Sequence, residues 1–400
     1  ETFVPVLPRL TYSIPQWSRS TQKDPRVAAD PYIQARAAEA PNMAHIDRLD
    51  ALLDERNLEA VWFGQPNSFA WLTGGDNVVS ADAGPGVAAA GYDGNGITVV
   101  TNNIEAPRLA EEELAADVEV VAYQWYESSL GEAVAAQSPT PAAADFDVPG
   151  FDAVDPSDVR QPLTEDDVAA YRSLGDDAAS AMEAVCEEVT PEMTEREATG
   201  RLHDRLAADG IRAPVALVGG GERASTWRHY TSKAEPLGDY ALLSVTAVRD
   251  GLHASVSRTV AFDEPDWLAD RTNAAARVEA TALAATREVG RQGGTAGDVF
   301  EAVQDAYEAV GFPGEWRNHH QGGAAGFAGR EWKATPTSDR AVQMPMGYAW
   351  NPTVQGAKSE NTWLVDGDGF ECLTGGAWTT EPVEAVGYDV TLERAAIHRP

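Results

Sequence analysis

Lysine is scarce in this sequence: only Lys23, Lys233, Lys333 and Lys358 occur, so arginine supplies most of the 30 basic side chains. Against these stand 63 acidic residues, which leave a formal net charge of -33 at pH 7. Such a surface repels itself unless counterions screen it, and it is typical of halophilic proteins from a salt-loaded cytoplasm. Because phosphate contacts need a basic patch, the same balance argues against nucleic-acid binding.

Cysteine and long apolar runs are also in short supply. The two cysteines, Cys186 and Cys372, are too few for a disulfide framework or a Cys-rich metal site. Cys186 lies in an apolar helical pattern, which predicts a buried, unreactive thiol. No apolar run reaches the roughly eighteen residues of a membrane span. The chain begins at Glu1 without a charged and apolar leader, so we expect a cytoplasmic protein.

The composition changes along the chain and indicates three parts. Residues 1–43 are rich in proline, arginine and alanine without a clear period, which indicates an extended N-terminal arm. From Ala44 helical and strand-like patterns alternate, which predicts an α/β domain over residues 44–160. Its last part, residues 136–160, is rich in Pro, Ala and Asp and is predicted to be a linker. Over residues 161–400, helical and β-rich stretches predict an α+β domain.

Capping boxes mark helix starts in the second domain. Thr164 with Asp167, and Thr194 with Glu197, have the spacing in which each side chain bonds to the other's backbone N–H. Further helices are predicted over Pro265–Val289 and Thr295–Val310, and strands over Tyr240–Val245, His253–Phe262 and Tyr348–Val365.

Two groups of motifs carry a family resemblance. Asn67–Gly74 and Thr101–Glu105 resemble segments of the creatinase-type N-terminal domain, while residues 161–400 are similar to the pita-bread domain of creatinases, prolidases and aminopeptidases P. The resemblance extends from about Ala44 to the end of the chain. It implies an α/β N-terminal domain followed by an α+β pita-bread domain.

The metal ligands of this superfamily are two Asp, one His and two Glu. The resemblance places Ser244 and Ser255 at the Asp positions, Gly323 at the His position and Asn351 at the first Glu position. Only the last ligand, Glu360, is kept. Because paired divalent ions need several anionic or imidazole ligands, the resemblance implies a dismantled dinuclear site, and no cofactor is expected.

Histidines near these positions leave a mononuclear site open, built from His253, His319, His320 and Glu360. His253 precedes Ser255 by two residues on a predicted strand, so the two side chains share a face. His319 and His320 are adjacent, and in an extended segment only one of them faces the pocket. We predict that it is His320.

The same resemblance implies roles for several charged residues. Creatinase works without metal, and the His that shuttles protons in it corresponds to His229 here. Arg330 and Glu331 occupy the place of a His–acid pair, where Arg330 would bind a substrate carboxylate in a bidentate manner. A buried Glu360 without metal needs a positive partner. That partner is either a cationic substrate group or an internal cation, Arg330 or Lys358.

The sequence therefore predicts a metal-independent, creatinase-like hydrolase of a C–N bond in a small amide, amidine or peptide-like substrate, similar to Xaa-Pro aminopeptidases. His229 and Glu360 are the predicted catalytic residues. The predicted substrate-binding residues are His253, His320, Arg330, Glu331, Asn351, Ser244 and Ser255, the two serines as pocket-lining hydroxyls.

Two other functions stay open. One is a catalytically inactive pita-bread protein that acts as a binding or scaffold module, and the other is a metallopeptidase with relocated ligands. The expected partners are a small-molecule or short-peptide substrate and a second copy of the chain in a homodimer. Neither nucleic acid nor a membrane is expected as a partner.

Overall fold

The structure is a computed structural model that describes residues 43–80 and 84–400. The chain forms two compact units, Glu1–Val159 and Arg160–Pro400. Apart from Met43, which begins the first helix, the N-terminal arm predicted for residues 1–43 lies outside the described residues.

The first unit is built on a mixed sheet with the strand order β4-β3-β2-β1-β5-β6. Its apolar core includes Trp62 and Val134 together with the small residues of β5. The elements in chain order are α1 Met43–Arg56, β1 Ala60–Phe63, α2 Pro66–Thr73, β2 Ala88–Tyr92, β3 Ile97–Asn102, α3 Ala106–Arg108, a π-helical turn Leu109–Glu113, β4 Glu119–Tyr123, α4 Leu130–Gln137, β5 Ala142–Ala144, β6 Asp152–Ala153 and a 3-10 turn Pro156–Asp158.

The predicted linker at residues 136–160 is wrong in its central part. Strand β5 pairs in parallel with β1, and β6 pairs in parallel with β5, so this segment completes the sheet of the first unit. The side chains of Ala142, Ala143 and Ala144 are buried. The alanine and proline content of this segment suggested a linker. In the structure, the small alanine side chains instead allow close packing of the sheet.

The second unit contains the predicted helices and strands, together with a short helix and several strands that were not predicted. Its elements are α5 Glu165–Glu188, α6 Glu195–Ala208, β7 Arg212–Gly220, α7 Gly221–Thr226, β8 Tyr240–Arg249, β9 Leu252–Ala261, α8 Leu268–Arg291, α9 Ala296–Ala309, a 3-10 turn Glu315–Asn318, β10 Gly322–Ala325, β11 Met346–Trp350, β12 Thr353–Val354, β13 Ala357–Lys358, β14 Trp363–Val365, β15 Phe370–Cys372, β16 Thr380–Glu384 and β17 Thr391–Ala395.

Helix starts in the second unit confirm the capping predictions. Thr164 and Thr194 each accept a hydrogen bond from the backbone N–H three residues later. In turn, the carboxylates of Asp167 and Glu197 accept hydrogen bonds from the backbone N–H groups of these threonines. Thr295 caps α9 in the same way, with Asp298 as its partner. These reciprocal bonds satisfy backbone N–H groups that the first turn of a helix leaves without partners.

Two antiparallel sheets give the second unit its framework. One consists of β7-β8-β9, on which α5 packs, and the other has the order β10-β11-β14-β15. Helix α8 packs against α9 and against β11 to β14. This arrangement of helices over antiparallel sheets confirms the predicted fold class, an α/β unit followed by an α+β pita-bread unit.

Both cysteines of the second unit are free thiols. Burial raises the pKa of Cys186 to about 12 and that of Cys372 to about 11. Both thiols therefore stay protonated at neutral pH, as predicted for Cys186.

None of the helices in the described residues has the length and apolar character that a membrane span requires.

Candidate active site

A chain of hydroxyl groups crosses the β8–β9 hairpin. The register sets Ser244 opposite Ser257 and Thr246 opposite Ser255, so that four hydroxyls share one face. Ser244 Oγ lies 2.7 Å from Ser257 Oγ, and Thr246 Oγ1 lies 3.0 Å from Ser255 Oγ. Ser257 Oγ in turn donates to Glu360 Oε2 over 2.7 Å. The retained carboxylate is thus reached from the hairpin by a short hydrogen-bonded path.

Tyr230 closes the other end of this path. Its hydroxyl lies 3.0 Å from Ser244 Oγ, and the side chain is buried. Gly219 makes this position accessible, because a Cβ there would lie 2.5 Å from Tyr230 Cγ. The glycine at the end of β7 therefore serves close packing of the ring.

Glu360 is held by two cations of the protein itself. Lys358 Nζ lies 2.7 Å from Oε2, and Arg330 Nη2 lies 2.9 Å from Oε1. Burial alone would raise the pKa of this carboxyl, but Lys358 and Arg330 outweigh it and hold the pKa at about 2. The structure thus gives Glu360 the internal partner that the sequence left open, and Lys358 and Arg330 both take that role.

Arg330 and Glu331 are engaged differently from their predicted roles. Besides Glu360, the Arg330 guanidinium donates to Gly329 O and, over 3.3 Å, to Ser255 Oγ. Glu331 is buried and forms an ion pair of 2.5 Å with Arg160. Since both side chains are committed to internal partners, Arg330 and Glu331 as substrate ligands are not supported by the geometry.

The residues that the resemblance places at the superfamily's ligand positions do not fit a pair of divalent ions. Ser244 and Ser255 are neutral hydroxyls and Asn351 is a neutral amide, while Glu360 is already neutralised. At Gly323, a Cβ would lie 2.2 Å from Trp332 O and 2.8 Å from Trp332 Cε3. A histidine side chain is therefore sterically blocked at that position.

Three histidines form a second polar cluster, named here the histidine cluster: His229, His319 and His320. His229 follows α7, while His319 and His320 lie between the 3-10 turn and β10. An ion pair of Arg228 with Glu315, which begins that turn, joins the two segments. His229 Nε2 is 3.1 Å from His319 Nε2.

The rings of His319 and His320 stack, with centroids 4.4 Å apart and an interplanar angle of 25°. Both rings also contact the His229 ring, with centroids 5.0 and 6.1 Å away. The prediction that only His320 faces the site is thus wrong, because the two side chains turn toward each other instead of alternating.

The imidazoles of this cluster are neutral at physiological pH. Burial lowers the pKa of His319 to about 2 and that of His320 to about 4, and Lys358 and Arg330 add to the effect. Burial also lowers the pKa of the more exposed His229, with Lys358 contributing. Neutral imidazole is the form that accepts a proton or binds a metal.

His253 and Asn351 stay predictions as substrate ligands. His253 Nδ1 bonds Gly251 O over 2.9 Å within its own hairpin, and burial lowers its pKa to about 4. Asn351 is buried, and its Oδ1 has no hydrogen-bond partner within the described part of the chain.

Sequence reasoning missed two contributors to the site, Ser257 and Tyr230. Ser257 was detectable, since it follows Ser255 by two residues on the same strand and so shares its face. The sequence carried no comparable signal for Tyr230, which reaches Ser244 only because Gly219 leaves room for its ring.

Comparison with known proteins places this geometry in a family. The family model for metallopeptidase family M24 matches residues 169–367. The chain is similar in structure to a Xaa-Pro dipeptidase from Bacillus anthracis, with 16% identity, a TM-score of 0.67, and coverage of 86% of this chain and 99% of that chain. No curated protein sequence matches the chain.

Two further solved structures have the same fold. An X-Pro aminopeptidase from Thermotoga maritima has 15% identity and a TM-score of 0.67, and the match covers 89% of this chain and 99% of that chain. The N-terminal domain of the FACT complex subunit SPT16 from chickpea, Cicer arietinum, has 13% identity and a TM-score of 0.62, with coverage of 84% and 97%.

The second unit therefore carries a metallopeptidase family M24 domain, and the chain has the pita-bread fold of prolidases and X-Pro aminopeptidases. The family supports a hydrolase that acts on C–N bonds. At identities this low, the solved structures establish the fold alone.

Proposed function

We propose that this protein is a metal-independent hydrolase of a C–N bond in a small amide, amidine or peptide-like substrate. One observation carries the proposal. Glu360, the single retained ligand of the superfamily's metal site, is already neutralised by Lys358 and Arg330. With Glu360 at charge -1 and the two cations at +1 each, this group has a net positive charge that repels divalent ions.

Proton transfer is assigned to the His229–His319 pair. With the Nε2–H of His229 donated to His319 Nε2, the Nδ1 of His229 carries a free electron pair on an exposed side chain. This nitrogen accepts a proton from a water molecule while the oxygen of that water forms a bond to the substrate carbon. The proton then passes to the leaving nitrogen as the C–N bond breaks, so that charge and atoms balance.

Positive charge for the transition state comes from Lys358. Its ammonium group has three donors, and the contact with Glu360 Oε2 uses one of them. The others are available to stabilise the oxyanion that develops when water adds to the carbonyl carbon. In this scheme Glu360 is a positioning residue, because it holds Lys358 and Arg330 in place.

Chelation tests the proposal directly. Purified protein would be treated exhaustively with a chelator in high salt and assayed on Xaa-Pro dipeptides and on small amides and amidines. The expected result is hydrolysis of at least one substrate class at a rate that chelation does not lower. A rate that is lost with the chelator and regained with Mn²⁺, Co²⁺ or Zn²⁺ would sink it.

The inactive binding or scaffold module is the second candidate. It is favoured by the loss of ligand chemistry at Ser244, Ser255, Gly323 and Asn351. Absence of hydrolysis across the whole substrate panel, by protein that is folded by circular dichroism, would favour this candidate over the enzyme.

We also propose that the protein is a homodimer, as the superfamily resemblance implies. Light scattering in molar salt is expected to give twice the chain mass of 42.7 kDa. A single species at the chain mass contradicts the dimer.

A further inference from the structure

The histidine cluster brings three ligand atoms within the reach of one ion. One nitrogen each from His229, His319 and His320 lies within 4.8 Å of the others. The Nε2 atoms of His229 and His319 are 3.1 Å apart. In a tetrahedral site with zinc–nitrogen distances of about 2.0–2.1 Å, two ligand nitrogens are about 3.3 Å apart. The His229–His319 pair thus has nearly this spacing already.

A second observation is that both rings keep a buried nitrogen without a partner in the described part of the chain, which in His319 is Nδ1 and not the Nε2 that faces His229. His319 is only 8% exposed, yet its Nδ1 has no hydrogen-bond partner within the described residues, and the same holds for the buried Nδ1 of His320. Buried polar atoms of structural side chains are ordinarily hydrogen-bonded, so two unpartnered nitrogens in one cluster need an explanation. The exposed His229 gives the cluster an opening to solvent.

We propose that His229, His319 and His320 together bind one divalent transition-metal ion, with Zn²⁺ as the reference ion. Three neutral imidazoles suit Zn²⁺, Co²⁺, Ni²⁺ or Cu²⁺, whereas Mg²⁺ and Ca²⁺ need oxygen ligands. Three imidazole ligands would leave the fourth coordination position to a water molecule or another small ligand. The site does not use any of the residues that stand at the superfamily's ligand positions.

Nearby charges tune this site toward reversible binding. Lys358, Lys333 and Arg330 lie close enough to act on the cluster electrostatically, and Glu360 partly offsets them. A net positive surrounding weakens the binding of any cation, so nitrogen coordination has to supply the affinity. We therefore expect an exchangeable ion that a chelator removes.

The ion and the proposed catalysis compete for the same imidazoles. Coordination through Nε2 of His229 leaves the ring proton on Nδ1, which removes the electron pair on which the proposed proton transfer depends, so a bound ion inhibits hydrolysis. The inference itself rests on the positions of the three rings and not on the proposed function, and binding can be measured without any substrate.

Metal titration of the full chain tests the site. Chelator-treated protein would be titrated with Zn²⁺ by calorimetry and with Co²⁺ by visible absorbance, in which tetrahedral nitrogen coordination gives intense bands. The expected result is one saturable ion per chain. No saturable binding, or a stoichiometry set by many weak acidic surface sites, overturns the proposal.

Variants locate the ion. His320→Ala and His229→Ala are each expected to weaken binding beyond the roughly 10- to 100-fold that loss of an outer-shell partner costs. His203→Ala is the matched control, because His203 is exposed on α6 and outside the cluster. Since His229 is also exposed, its variant should fold, and circular dichroism checks this. Unchanged binding in both cluster variants contradicts the site.

Activity separates this inference from the proposed function. If Zn²⁺ binds and lowers the rate, both stand. If Zn²⁺ binds at the cluster and raises the rate, the site stands and metal-independent catalysis is wrong. If Zn²⁺ does not bind while activity survives chelation, the proposed function stands and the metal site is wrong.

Discussion

The two polar clusters of the second unit differ in how their groups are satisfied. Around Glu360, the carboxylate has two cations and a serine hydroxyl within hydrogen-bond distance. In the histidine cluster, buried nitrogens of His319 and His320 have no partner among the described residues. A fully satisfied polar network holds structure in place, whereas unsatisfied groups are available for chemistry or for a ligand. Glu360, which the resemblance places at a metal-ligand position, thus has both carboxylate oxygens engaged, although Nε of its partner Arg330 has no hydrogen-bond partner among the described residues.

The largest expected effect is on catalysis and concerns the histidine cluster. His229→Ala should lower the rate of hydrolysis by about 100- to 10,000-fold, because general acid–base catalysis contributes that much. The measurement is kcat on the substrate class found in the panel, with His203→Ala as the control. If some reaction is found and His229→Ala leaves its rate intact, His229 is not the proton shuttle.

Next in size is the loss of the Glu360 charge. Glu360→Gln should lower the free energy of unfolding by about 3–5 kcal/mol, because it leaves Lys358 and Arg330 buried without their counter-charge. Denaturant unfolding at fixed salt measures this effect.

The matched control for that variant is Glu371→Gln, which breaks the exposed pair of Arg172 and Glu371. Exposed pairs contribute about 0–1 kcal/mol, so this change should be small. Equal losses for the two variants would mean that the Glu360 cluster is not a buried structural network.

A third change tests whether the metal position can be rebuilt. Gly323→Ala should lower the free energy of unfolding by about 1–3 kcal/mol, because its Cβ would overlap Trp332 O and the Trp332 ring. Gly367→Ala is the control, since nothing lies within 4 Å of a Cβ there. A neutral Gly323→Ala, measured by thermal unfolding, would show that the site accommodates a side chain.

The smallest expected effect is on the pH dependence of stability and concerns His253, which lies outside both clusters. Burial, with Arg160 and Arg212 contributing, lowers its pKa from the ordinary 6.5 to about 4 in the folded protein. Between these values the unfolded chain binds more protons at this site. His253 therefore costs stability as pH falls from 6.5 to 4, on the order of 1–3 kcal/mol.

His253→Asn removes this titration and keeps an amide donor for Gly251 O. The free energy of unfolding should then depend less steeply on pH between 6.5 and 4, and denaturant titrations across that range would measure the slope. An unchanged slope means that His253 is accessible to protons in the folded state.

The sequence by itself determined the fold class and the helix starts of the second unit. Thr164, Thr194 and Thr295 act through bonds to residues three positions away, and such local contacts can be read from spacing. The family resemblance also placed Ser244 and Ser255, with hydroxyls and not carboxylates, at the superfamily's Asp positions.

Only the tertiary structure decided which of these groups act on one another. Glu360 bonds to Arg330, which lies 30 positions away in the sequence, and His229 contacts His319, which lies 90 positions away. Neither sequence separation corresponds to a helix or strand period. Those pairings arise from the packing of separate strands and loops. For this reason the candidate charges and imidazoles could be named from the sequence, while the pairs that they form were decided only by the fold.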